Sequence, residues 1–178
     1  MKKVGTLEVN SKLFIGDPCY STDLLGSADL EHGTYSCYVE KSRKLDRIKN
    51  ISILDSSYNT LDVYICSTPI CECGVDSGQL GFFNSDKYRK KVSKEVYDKL
   101  TSVKFPYEEW KKEYRESDTE RYSFYRACCN ATLCEKQYGI IDNVGFVSSS
   151  GYGDGVYPCF PMLNIGTNKM VGLHVEFM

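Results

Sequence analysis

Short stretches of period-two alternation, each closed by a turn carrying glycine, asparagine or aspartate, fill residues 3–83 and return after residue 139, and that rhythm points to antiparallel strands. Val4 to Val9, Leu13 to Ile15, Gly33 to Val39, Ile48 to Leu54, Leu61 to Cys66 and Gln79 to Phe83 carry the β-branched and aromatic residues that suit a pleated, half-buried surface. Asn10-Ser11 reads as a tight hairpin turn between the first two strands, and the first half as a meander. Ile140 to Ser148, Val156 to Phe160, and a hairpin of Met162 to Ile165 with Val171 to Phe177 complete the strands, the last pair turning at Gly166-Thr167-Asn168-Lys169.

Between them the period changes. Asn84, Ser85 and Asp86 are placed to cap a helix over Lys90 to Leu100, where Val92, Val96 and Leu100 recur at helical spacing. Pro106 opens a second helix. A third, from about Asp118 to Gln137, puts Tyr122, Tyr125, Cys129 and Leu133 on one face, with Gly139 as its stop. The expected fold is therefore α+β: an antiparallel β-sheet framework, sandwich or barrel-like, with a helical insertion at about 84–138. With 178 residues, 42% of them hydrophobic, the chain can bury one sizeable core, so residues 1–178 are read as a single domain.

Charge and cysteine content narrow the function classes. A formal net charge of -2 provides no overall positive field for a duplex backbone. The Met1-Lys2-Lys3 start leads into Glu8 and Asn10 without an apolar run, so neither a signal peptide nor a membrane span is expected, and the expected location is the cytoplasm. Nine cysteines, an odd count, argue for reduced thiols. Cys71-Glu72-Cys73 and Cys128-Cys129 with Cys134 invite a zinc reading, but no C-x-x-C pair occurs, and Cys128, Cys129 and Cys134 lie among Phe124, Ala127, Ala131 and Leu133 as small core hydrophobes would. Cys19 has no neighbouring histidine to activate it as a nucleophile.

Three acidic turns stand out: Gly16-Asp17-Pro18-Cys19-Tyr20, Val75-Asp76-Ser77-Gly78-Gln79, and Gly151-Tyr152-Gly153-Asp154-Gly155-Val156-Tyr157-Pro158. An aspartate beside glycine builds a tight turn, which is the plain reading of each. If the turns converge, Asp17, Tyr20, Asp76, Ser77, Gln79, Ser150, Tyr152, Asp154 and Tyr157 line one polar ligand-binding site. In that arrangement free N–H groups of the glycine loop form an anion nest, and Tyr152 or Tyr157 stacks on a base or sugar. The loop is not followed by a helix and matches neither the P-loop nor the Rossmann fingerprint. Arg43, Lys44, Arg47 and Lys49 form a basic cluster that reads as a solvated strand edge, or as a phosphate contact if it folds near the turns. Asp17, Asp76 and Asp154 would equally suit a hard cation such as Mg²⁺ activating water, but His32 and His174 are the only histidines, and His174 alternates with Leu173 and Val175 in a terminal strand.

The three acidic turns, with Val147-Ser148-Ser149-Ser150 before the last and Val171-Gly172-Leu173-His174-Val175-Glu176-Phe177 at the end, resemble the signature of the DUF4241 family of bacterial and phage-borne proteins of undefined function. The matches run in order through nearly the whole chain; the helical region matches less. That resemblance implies one structural unit and names no activity. The expected function is small-ligand binding without a cofactor, as a phage counter-defence protein that sequesters a nucleotide-derived signal in the host cytoplasm. A Mg²⁺-dependent phosphodiester hydrolase and an inhibitor of a host protein, acting through Tyr-rich helices, are the alternatives. The expected partner is a small phosphate-containing ligand or a host protein, with homo-oligomerisation left open.

Overall fold

The computed structural model describes residues 1–98 and 119–178. Twelve strands dominate: β1 (Lys2–Val9), β2 (Lys12–Gly16), β3 (Gly26–Asp29), β4 (Gly33–Lys41), β5 (Ile48–Asp55), β6 (Val63–Ile65), β7 (Cys71–Val75), β8 (Gln79–Asn84), β9 (Tyr138–Ile141), β10 (Gly145–Ser149), β11 (Gly155–Asn164) and β12 (Met170–Glu176). Among the described residues between β8 and β9 lie two α-helices, α1 (Lys94–Asp98) and α2 (Thr119–Thr132). The helix expected to open at Pro106, and the end of the one expected at Lys90 to Leu100, fall outside the described residues. No helix among the described residues is long and apolar enough to cross a membrane.

Every pairing is antiparallel. One sheet runs β1-β4-β5-β12-β11-β6, with β7 also on β11; the other runs β3-β2-β8-β10-β9. Leu7, Val9, Tyr35, Cys37, Ile51, Ile53, Leu173 and Val175 from the first sheet pack against Leu13, Ile15, Leu80, Phe82 and Phe146 from the second in a shared core. The second sheet is buried on its other face too. Phe14, Phe83, Val147 and Ile141 meet Phe124, Ala127, Cys128 and Ala131 of α2, with Tyr88 and Val92 filling the margin. This explains β8, whose six residues are all buried: Leu80 and Phe82 face one layer and Phe83 the other. The Phe83 ring lies over Gly81 and Gly145, where an added Cβ would come within 2.5 Å of it, so the two glycines are the floor on which that ring rests.

Several expectations change. β1 and β2 do not form a hairpin; they belong to different sheets, and Asn10-Ser11 is the corner between them. The first half is not a meander, because successive strands are dealt between two sheets. Asn84 does not cap a helix. It ends β8 fully buried, accepts the Asn10 N–H (3.0 Å) and donates to Glu8 O (2.7 Å) and Asn143 O (2.8 Å), pinning two corners. Ile140 to Ser148 divides into β9 and β10, β11 merges two expected strands, and β3 and β7 are additional. The core-facing side of α2 carries Phe124, Ala127, Cys128 and Ala131, rotated from the expected stripe, and Leu133 beyond its end is exposed. Gly139 lies in β9 instead of stopping the helix.

On the face opposite Leu173 and Val175, His174 is buried and its Nδ1 lies 2.8 Å from Ser52 Oγ. Burial lowers its pKa below the usual 6.5. As pH falls, the unfolded chain therefore takes up the proton first, and stability declines from about pH 6.5 downwards to the lower folded-state pKa. Melting temperature should drop between about pH 7 and about pH 5, and His174→Gln should flatten that portion of the profile. An equally steep drop in the variant would assign the effect elsewhere.

Candidate functional site

Asp17 follows the last residue of β2 and is 0% exposed. A carboxylate removed from water needs donors from the protein, and four converge on it. Oδ1 accepts the Cys19 N–H (2.8 Å) and the Ser77 hydroxyl (2.6 Å); Oδ2 accepts the N–H groups of Asp76 (2.8 Å) and Ser77 (2.6 Å). The Asp17 side chain thereby fastens the turn after β2 to the turn between β7 and β8. The backbone beyond it is held by the Tyr20 N–H to Asp17 O (3.1 Å) and by Tyr88, whose hydroxyl lies 2.8 Å from Tyr20 O and 3.2 Å from Asp17 O.

The third turn joins through backbone. Ser150 N–H donates to Gly78 O (3.0 Å), and Gly78, with φ +67°, lies so close to Gly153 that a Cβ would sit 3.9 Å from its Cα. Gly151 has φ +63°, and a Cβ there would come 2.7 Å from Ile48 O, so the loop can lie against β5 only without a side chain at that point. Ser150 and Tyr157 both donate to Gly153 O, at 2.6 and 2.9 Å, which closes the loop on itself. The β7–β11 ladder ends at Val75 with Gly155, leaving Asp76 and Asp154 at adjoining strand ends.

The fold thus gathers all three acidic turns and sorts their side chains. Asp17, Gln79, Ser150 and Tyr157 are buried and spend their polar atoms inside the protein. Gln79 reaches α2, accepting from Thr132 Oγ1 (2.9 Å) and donating to Cys129 Sγ (3.6 Å). Tyr157 packs edge-on against Phe177 with ring centroids 5.1 Å apart, so of the two tyrosines Tyr152 alone presents an exposed ring. Ser77 is half-buried and committed to Asp17. Asp76, Tyr152 and Asp154 are exposed, and half-buried Tyr20 stands beside Asp76. The Tyr20 hydroxyl bonds the Asp76 carboxylate, which chiefly accounts for a pKa pushed up to about 12.

Two contributors were not singled out from the sequence. Arg47 leaves the basic cluster to reach the loop: Nη1 donates to Gly151 O (3.2 Å), and the guanidinium carbon lies 6.0 Å from the Tyr152 ring centroid. Tyr125 of α2 hydrogen-bonds Ser77 and Cys129, and burial above all pushes its pKa up to about 12. A basic run and a tyrosine-rich helix were the available signals, and neither identified which member would reach the turns. Lys49 and Arg43 line a separate cleft of about 560 Å³ with Lys2, Glu40 and Lys41. Cys19 is held as a thiol, its pKa pushed up to about 12 by burial and then by Asp17.

Asp17, Asp76 and Asp154 do not assemble a cation site, because Asp17 has given its oxygens to protein donors. Among the described residues, no three His, Cys, Asp or Glu side chains are grouped to hold a metal ion. No protein-family model matches the chain, and neither does any curated protein or solved structure.

Removing the Asp17 carboxylate strands the N–H groups it satisfies. Asp17→Ala should destabilise by about 3 kcal/mol or more. Asp17→Asn should also be costly, since an amide has one acceptor oxygen in place of two. Urea denaturation measures both, and a change under about 0.5 kcal/mol in Asp17→Ala would refute the fastening role.

Proposed function

We propose that this protein binds a small nucleotide-derived ligand at the rim where the three acidic turns meet. The observation that carries this reading is the division of labour around Asp17. A buried carboxylate holds the turns together, so Asp76, Tyr152 and Asp154 are positioned at the surface, where the Asp76 carboxylate, bonded by the Tyr20 hydroxyl, keeps further acceptor capacity and the Tyr152 ring, approached by Arg47, stays exposed. Asp76 and Asp154 supply acceptors for sugar hydroxyls or exocyclic amines, Tyr152 a face for a base, and Arg47 a cation for phosphate. The role is capture and release without chemical change. Resemblance to the DUF4241 family, with its phage-borne members, supports sequestration of a nucleotide-derived signal in a host cytoplasm as the setting.

A panel of mononucleotides and cyclic dinucleotides should contain a compound that raises the melting temperature and is recovered intact after denaturation. Asp76→Ala and Tyr152→Ala should each lose most of that shift, on the order of tenfold in affinity, with the ligand-free melting temperature nearly unchanged. Equal shifts in wild type and both variants would sink the site, and an altered compound would replace binding by catalysis.

A second reading, association with a protein partner or another copy, rests on edge strand β6. Tyr64 and Ile65 of β6 are exposed at 42% and 43%, with Leu61 just before the strand at 87% and Ile165 just after β11 at 61%, and no further strand pairs with β6 among the described residues. Light scattering should show self-association that Ile65→Lys abolishes; a monomer in both forms would leave no role in joining copies to this edge.

A further inference from the structure

Cys71-Glu72-Cys73 acquires a third thiol in the fold. Within the β7–β11 ladder, Cys71 is the direct partner of Cys159 and Cys73 that of Tyr157. All three thiols consequently turn to the inner face of the sheet, where Cys73 and Cys159 belong to the shared core and Cys71 packs against it. Cys71 Sγ and Cys73 Sγ are 3.8 Å apart, and the direct cross-strand pairing sets Cys159 beside Cys71. Burial separates the three. Cys73 and Cys159 are buried, whereas Cys71 is half-buried at the seam where β7 passes β3, with its sulfur against Gly26.

A sulfur flanked by two S–H donors is stabilised as the thiolate, the nucleophilic form. Hydrogen bonds from Cys159 and then Cys73 lower the Cys71 thiol well below its usual value in spite of partial burial, and both donors move the other way. Geometry also selects the partner. Directly paired residues of antiparallel strands have Cα atoms about 4.5–5.5 Å apart, inside the disulfide range of about 4.4–6.8 Å, whereas neighbours two apart along one strand sit near its upper end.

We propose that Cys71 is a peroxide-reactive cysteine and Cys159 its resolving thiol, forming a cross-strand redox site distinct from the ligand-binding rim. Hydrogen peroxide or an organic hydroperoxide is the oxidant. The Cys71 thiolate attacks one peroxide oxygen, the O–O bond breaks, and the departing hydroxide or alkoxide takes up a proton. Sulfur is thereby oxidised to sulfenic acid. The Cys159 sulfur then attacks Cys71 Sγ; the S–O bond breaks as the S–S bond forms, and the Cys159 proton leaves with hydroxide as water. One peroxide has been reduced by two electrons, and two thiols have become a disulfide. The bond would bolt β7 to β11, the strands whose ends carry Asp76 and Asp154.

The test is to titrate reduced full-length protein with hydrogen peroxide, block with iodoacetamide, and map peptides without reductant. A Cys71–Cys159 linked peptide should be the first product, and Cys159→Ala should halt at a Cys71 sulfenic acid trapped by dimedone. In untreated wild type, competitive alkylation should modify Cys71 roughly tenfold or more faster than Cys19. Oxidation of Cys19, Cys66 or Cys134 as fast as Cys71 would overturn the proposal, and so would a Cys71–Cys73 link in place of the cross-strand one. The alkylation comparison needs no variant, so it decides even if Cys159→Ala fails to fold.

Discussion

A buried carboxylate that meets no water must be satisfied by the chain around it, and Asp17 imposes that demand on the part of the molecule where function is proposed. Its two oxygens take four donors, three of them from Asp76 and Ser77 on the far turn. The β2 turn belongs to one sheet and the β7 strand to the other, so the interaction also ties the sheets at one end. From there the Ser150 N–H to Gly78 bond carries the alignment to the glycine loop. Disturbing Asp17 disturbs all three turns.

The site is rigid for a second reason. The sheet containing β8 is packed on both faces, against the opposing sheet on one side and α2 on the other. Gln79 and Tyr125 connect that helix to the turn after β7. A rim supported by three layers keeps Asp76 and Tyr152 at the surface, with Tyr20 beside the first and Arg47 beside the second. The thiol trio occupies the same strands one step inward, so β7 and β11 bear core chemistry on one stretch and rim chemistry at their ends.

What could be read in the chain and what could not divide along the range of the interactions. Strand segments and the β11–β12 hairpin follow from local alternation and turn residues, and so does the clustering of motif aspartates at turns. Nothing local distinguishes Asp17 from Asp76: both lie in short polar turns, yet one is buried under four donors and the other exposed. Tyr152 and Tyr157 belong to the same glycine-rich segment, and packing against Phe177 removes one of the two rings from the surface. Asn84 looked like a helix cap because capping is a local pattern, whereas its partners Glu8, Asn10 and Asn143 are distant in sequence.

By itself the sequence determined a β-dominated antiparallel chain and the places where its acidic turns fall, because period-two alternation and glycine or aspartate turn chemistry act over a few residues. Tertiary structure alone decided which sheet each strand joins, which face of α2 is buried, that Asp17 holds the site while Asp76, Tyr152 and Asp154 face outward, and that Cys159 meets Cys71. Each of those outcomes depends on pairings between residues far apart in the chain, where burial and hydrogen-bond satisfaction are settled together.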